Sequence, residues 1–238
     1  AKFICLSPWH RDFFSDYHGI DKNTVTVVPN GINTDLFEEL SLNKIYGRLH
    51  FSSSPDRGLD NILYMLPYVK DEVPEVELDV YYGFYNWVSA AKSRNNAEEM
   101  KRIEDLQLEL EKAKDYVHLH GRVSQQELAK RWMEAYVWFY PTAFTETYCI
   151  TACEAMASGT PILCSNIAAL QTTVGDYGLR VVEGPYSKDG RLQYINQLKM
   201  LLKDPDYWHK WSKTAEAGIV GRSWPEVYQK HWKPLIEA

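Results

Sequence analysis

The chain has 238 residues, 45% hydrophobic and 13% aromatic, ample for a buried core and for more than one compact unit. A formal net charge of −6 and a pI near 5.7 argue against a nucleic-acid groove or a basic membrane face, since both draw on clustered lysine and arginine. No apolar run approaches the roughly 18 residues that span a bilayer, and the start, AKFICLSPWH, lacks the basic and apolar segments of a secretory signal.

In chain order, Phe3 to Leu6 reads as a strand, and Ser7-Pro8 as the cap and first turn of a helix running to about Tyr17. Thr24 to Val28 is a second β-branched strand, ended by Pro29 and the turn pair Asn30-Gly31. From Lys44 strands and helices alternate. Strands are expected at Ile45 to Ser53, Val76 to Tyr82, Tyr116 to Leu119, Val137 to Tyr140, Ile162 to Cys164 and Leu179 to Val182. Helices are expected at Arg57 to Tyr68, Ala97 to Lys114, Gln125 to Met133, from Ala168, and over Leu192 to Leu202, Tyr207 to Gly218 and Pro225 to Ile236. Such alternation marks an α/β fold, a doubly wound, Rossmann-like parallel sheet with helices on both faces. The lysine- and glutamate-rich run Ala97 to Lys114 reads as a solvated helix face.

Between two of these strands lies the most informative stretch, YPTAFTETYCITACEAMASGTPILC from Tyr140 to Cys164. Tyr148 to Ser158 is helix-compatible, with Ile150, Cys153, Met156 and Ala157 spaced for one buried face, and Gly159 with Thr160-Pro161 ends it. Glu146 then falls just before the helix and Glu154 in its second turn. A helix N-terminus favours phosphate, a carboxylate one turn in can accept from a ribose diol, and one in the preceding loop can hold a second polyol. The ligand this implies is a nucleotide sugar. Capping and dipole compensation would also explain two glutamates near a helix start.

Strand ends supply an independent argument. Ser52, Ser53 and Ser54 close one strand, Gly83 and Gly121 follow two others, and Thr142 to Glu146 follows a fourth. In doubly wound sheets ligands bind beyond the carboxyl ends of the strands, so four such loops can converge on one crevice. Arg57, at a helix start where the dipole favours an acid, is locally mismatched. A diphosphate would explain it, because a guanidinium bonds two phosphate oxygens at once; pairing with Asp56 or Asp60 would explain it as well. Arg48 lies too early in its strand to reach the crevice.

ETYCITACEAMASGTPIL resembles the E-x7-E signature of retaining glycosyltransferases with the GT-B fold, of the group 1 or family 4 type. Further matches follow in the expected order. Val27 to Asn33 looks like the interdomain segment, Ser52 to Leu59 like the loop whose basic residue binds the donor diphosphate, and Val117 to Ser124 like the strand and glycine bordering the nucleobase. The resemblance implies that residues 1–38 end an acceptor-side domain and interdomain segment, 39–222 form a Rossmann-like donor-binding domain and 223–238 a C-terminal helix. Most of the acceptor-binding half would then be missing, and the lack of an initiator Met suggests an excised fragment.

The reaction so implied is transfer of a sugar from a nucleoside diphosphate sugar to a glycan, lipid or protein acceptor, with retention of configuration. Glu146 and Arg57 would be catalytic, positioning the sugar and stabilising the departing diphosphate. Donor-binding residues would be Glu154 on the ribose, Arg122 and Val123 beside the base, and Ser53, Ser54, Gly58, Gly83, Thr147, Tyr148 and Cys149. Relatives usually carry Lys at Arg57, an Arg where this chain has Ser52 to Ser54, and Gly-Phe-Gly where it has Thr147-Tyr148-Cys149. These last side chains are expected to narrow the pocket.

No metal is expected and no cofactor beyond the UDP- or GDP-sugar type of substrate. Asp204-Pro205-Asp206 reads as a cap and turn. Cys149 and Cys153 would sit on one helix, either as small apolar residues or as ligands with His118 or His120. The scattered cysteines, Cys5 and Cys164 included, favour a reducing, cytoplasmic location. No nucleic-acid partner and no transmembrane segment are expected. Two other readings stay open: a donor-binding module without activity of its own, and a nucleotide-sugar epimerase of similar fold, whose extra acid and base residues are not identifiable. His10 could serve as a base or be structural. A nicotinamide oxidoreductase is disfavoured, because no Gly-x-Gly-x-x-Gly follows any strand.

Overall fold

A computed structural model describes residues 3–38, 40–41 and 43–237. Six parallel strands form the main sheet: β3 (Arg48–Phe51), β4 (Glu77–Tyr81), β5 (Val117–Gly121), β6 (Val137–Tyr140), β7 (Ile162–Ser165) and β8 (Leu179–Val181). Their order is β5-β4-β3-β6-β7-β8. The chain therefore winds outward in one direction from β3 and in the other from β6, which makes the β3/β6 boundary the switch point where doubly wound sheets open a crevice. Every residue of β6 and β7 is buried, as expected of central strands covered on both faces.

Ahead of that sheet, β1 (Phe3–Cys5) and β2 (Val25–Val27) form a parallel pair around the helix Pro8–His18, whose cap is Ser7, accepting from the His10 N–H. The following segment meets the chain's far end: the Ile32 N–H donates to the Arg222 carbonyl at 2.9 Å and the Trp224 N–H to the Ile32 carbonyl at 3.1 Å. Gly31 is needed there, since a Cβ would stand 2.8 Å from the Trp224 Cα. The expected boundary after residue 38 falls on Glu39, which lies outside the described residues.

Several expected elements differ from those observed. The first strand of the main sheet begins at Arg48, not Ile45, because Gly47 at φ +78 turns the chain. The helix expected from Arg57 starts at Leu59; Pro55–Arg57 is a separate 3-10 turn closed by Gly58 at φ +111. A helix at Tyr85–Ser93 was not foreseen, and no side-chain cap announces it. The final helix is three segments, Trp224–Val227, a π-helical Tyr228–Trp232 and Lys233–Glu237. Asp204 does cap the helix Pro205–Ala217, accepting from the Tyr207 N–H at 3.0 Å. Among the described residues no helix is long and apolar enough to cross a membrane.

Candidate functional site

The three serines after β3 go to three different places. The Ser52 side chain lines a cavity of about 430 Å³ that also holds Arg122, Val123, Gly121 and Glu154. Ser53 is buried on the other side, near the Tyr140 hydroxyl. Ser54 lines a second cavity of about 400 Å³ with Arg57, Asn86 and Arg94. Tyr82 borders both cavities. A third, of about 230 Å³, lies on the far side of Glu154 and is lined by Asn33, Phe37, Trp132 and Trp224.

Glu146 sits 7% exposed in the loop after β6. Its Oε1 accepts from the Tyr140 hydroxyl at 2.7 Å and from Arg57 Nη1 at 3.2 Å, while Oε2 has no partner among the described residues. Burial pushes the Tyr140 phenol well above its usual range, so it stays protonated and donates. Burial opposes the charge on Arg57, but the Glu146 carboxylate, Tyr140 and Asp56 together outweigh it and hold the guanidinium above its ordinary pKa. The Arg57 guanidinium also stands 4.1 Å from the centre of the Phe144 ring. Arg57 is thus paired with Glu146, not with Asp56 or Asp60. Asp60 instead meets Tyr186 and Arg102.

Gly58 lets the loops after β3 and β6 touch: a Cβ there would stand 2.7 Å from the Pro141 carbonyl oxygen. Nearby, Asn61 Nδ2 donates to the same oxygen at 3.1 Å. Gly83 is open, with nothing within 4 Å of where a Cβ would stand. It follows Tyr82, whose φ of +139 is strained for a residue with a side chain. The Tyr82 hydroxyl is held by Asn86 Nδ2 and Arg122 Nη2, each at 3.1 Å. Arg122 is therefore already engaged on a neighbouring ring rather than free in the cavity.

Glu154 stands at the other end. The helix that carries it runs Ile150–Ala157 and buries Ala152, Cys153, Ala155 and Met156. Ile150, expected on that buried face, is 44% exposed and lines the cavities beside Glu154, because it lies four residues before Glu154 and so shares its side of the helix. Glu154 Oε2 accepts from the Trp132 indole Nε1 at 3.2 Å, and Oε1 has no partner among the described residues. Burial raises the Glu154 pKa to about 6, the indole N–H offsetting part of the effect.

Thr147, Tyr148 and Cys149 do not narrow the cavities described. Thr147 is exposed and its carbonyl accepts from the Ser7 hydroxyl at 2.8 Å. Tyr148 turns inward, its hydroxyl accepting from Cys153 Sγ at 3.7 Å. Cys149 precedes the helix with φ +73, a backbone shape better suited to glycine. His118 and His120 face Glu77 and Asp79 at 3.2 and 2.6 Å. Among the described residues no group of three or more His, Cys, Asp or Glu could hold a metal ion. Arg48 pairs with Glu77 and Asp79 at the start of its strand, away from the crevice. His10 accepts from the Leu6 N–H through Nδ1 at 3.2 Å.

Sequence reasoning missed Tyr82, Trp132 and Tyr140 as members of the site. Tyr82 and Tyr140 stand at strand ends, the position that marked the serines and glycines, so that signal was present. Trp132 carries none, since it reaches Glu154 from another helix.

A six-stranded sheet in this order, with a polar crevice at its switch point, defines a Rossmann-like domain of the GT-B type. Residues 52–218 match the model of the family described as glycosyl transferases group 1, and the chain belongs to that family. It is 29% identical over 170 residues to the MMP alpha-(1->4)-mannosyltransferase of Mycolicibacterium hassiacum, covering 70% of this chain and 37% of that protein. A glycosyltransferase from Rickettsia africae superposes with a TM-score of 0.77 at 15% identity, over 99% of this chain and 63% of its own. Anabaena Alr3699/HepE, solved in complex with UDP and glucose, does so with a TM-score of 0.76 at 16% identity, over 100% and 63%. The chain thus spans less than two thirds of each.

Proposed function

We propose that this chain binds the nucleoside diphosphate sugar donor of a glycosyltransferase and that, together with an acceptor-side half, it transfers the sugar with retention of configuration. The observation that carries this reading is a pair of half-satisfied carboxylates, Glu146 held on Arg57, whose side chain borders a cavity of about 400 Å³, and Glu154 beside one of about 430 Å³. Each keeps one oxygen on a protein donor and offers the other, as a polyol requires. Arg57 and the N–H groups opening the helix Ile150–Ala157 carry the positive charge that a diphosphate needs.

In this reading Glu154 takes the ribose, and Arg122 and Val123 border the base. Arg57 stabilises the departing diphosphate while Glu146 positions the sugar. Residues 1–38 belong to the acceptor side and interdomain segment, and no metal is required for the leaving group. That relatives are longer favours a second reading, in which this portion holds donor without turning it over. Mass spectrometry of products from a panel of UDP- and GDP-sugars separates the two. Released sugar or a glycosylated acceptor supports transfer, binding without turnover supports the module, and neither binding nor turnover contradicts both.

A further inference from the structure

Trp132 is wholly buried near the end of the helix Gln125–Glu134, and four contacts fix it. Its ring stacks on His50 with centroids 3.7 Å apart and meets Trp138 edge-on at 6.4 Å. Its carbonyl accepts from Lys44 Nζ at 2.9 Å and from the Thr160 hydroxyl at 3.2 Å, which ties down the carbonyl end of the helix. Burial holds His50 well below its ordinary pKa, so the ring beneath the indole is neutral and packs as an aromatic plate.

From this fixed seat the indole N–H reaches Glu154 Oε2. An indole can only donate, so the bond has one sense and engages one oxygen. The terminal torsion of a glutamate is broad and roughly two-fold; without such a donor the carboxylate could turn either edge toward the cavity. Glu154 Oε1 is left to whatever fills the crevice.

We infer that Trp132 is a positioning residue that presents Glu154 Oε1 to a ribose hydroxyl, and so sets a preference for ribonucleotides over 2′-deoxyribonucleotides. The inference rests on the ribose reading of Glu154 proposed above. It assigns to Trp132 no contact with the ligand; the effect passes through the carboxylate.

Calorimetric titration with UDP, GDP and their 2′-deoxy counterparts tests it on the wild type, Trp132→Phe, Trp132→His and Glu154→Gln. The wild type should prefer the ribonucleotide by about tenfold or more, the worth of one charge-assisted hydrogen bond. In Trp132→Phe that preference should fall below about threefold, with deoxyribonucleotide affinity changed by less than about threefold. Trp132→His, which keeps a ring N–H, should recover part of it.

Equal losses for both sugars would make Trp132 merely structural and overturn the inference, as would an undiminished preference in Trp132→Phe. A preference that survives Glu154→Gln overturns the ribose reading and the inference with it. A preference lost in Glu154→Gln but kept in Trp132→Phe overturns the inference alone. Should the Trp132 variants fail to fold, the indole N–H resonance of the wild type, assigned by its change in Glu154→Gln, decides. It should move on adding UDP and much less on adding 2′-deoxy-UDP, and equal movement would overturn the inference.

Discussion

Glu146 and Glu154 each commit one carboxylate oxygen to the protein and leave the other without a partner among the described residues, yet their partners differ. Glu146 shares Oε1 between a phenol and the Arg57 guanidinium, whereas Glu154 rests on a neutral indole. An opposite charge compensates a carboxylate taken from water; a neutral donor compensates it only in part. Burial accordingly raises the Glu154 pKa, to about 6. Paired charge therefore stands by the cavity that Arg57 borders, and a titratable acid in an aromatic wall by the one that Glu154 borders, with Tyr82 between them.

The largest expected effect strikes at the aromatic wall. Glu154→Ala should weaken ribonucleotide binding by about 3 kcal/mol, on the order of a hundredfold, and unchanged affinity by calorimetry would reject its ribose role. At the paired charge, Arg57→Ala should cost a nucleoside diphosphate about 2 kcal/mol and the free nucleoside little. Equal losses for both ligands would mean that Arg57 acts only through the fold.

Acidity sharpens the contrast. Because the folded pKa of Glu154 is about 6, the acceptor is lost as pH falls below that value. Ribonucleotide affinity should then drop, approaching tenfold per pH unit, and level off above it. The same shift makes the folded state bind more protons than the unfolded one between pH ~4 and ~6. Stability should thus fall as pH rises through that window, by at most about 2 kcal/mol, and Glu154→Gln should abolish the slope in urea titrations. A profile unaltered by that substitution would place the titration elsewhere. The smallest effect is at Cys149, where φ is +73. Cys149→Gly should change stability by within about 0.5 kcal/mol, as relief of strain offsets lost packing, while Cys149→Val should cost at least about 1 kcal/mol. A large loss for glycine would show that the thiol's packing outweighs the backbone.

Much of the fold was legible because it depends on local signals: alternating strand and helix patterns, Ser7 before Pro8, and Asp204 at a helix cap. The acids were legible as well, since Glu146 and Glu154 sit in one continuous stretch. What escaped depends on partners distant in sequence. Arg57 meets a carboxylate 89 residues away, where the neighbours Asp56 and Asp60 were the local guess. Trp132 lies 22 residues from Glu154, on a helix whose pattern marks it only as core. The helix Tyr85–Ser93 escaped because Phe84 at its start provides no cap. Ile150 was misplaced because the buried face is centred on Ala152, Cys153, Ala155 and Met156, and Ile150, four residues before Glu154, lies on the side that Glu154 occupies.

Crystals of this chain soaked with UDP and with GDP test the central claim most directly. The account predicts a ribose hydroxyl within hydrogen-bond distance of Glu154 Oε1 and a phosphate oxygen on Arg57, beside Glu146. A nucleotide bound elsewhere, or one whose phosphates ignore Arg57 while its ribose leaves Glu154 untouched, would contradict it.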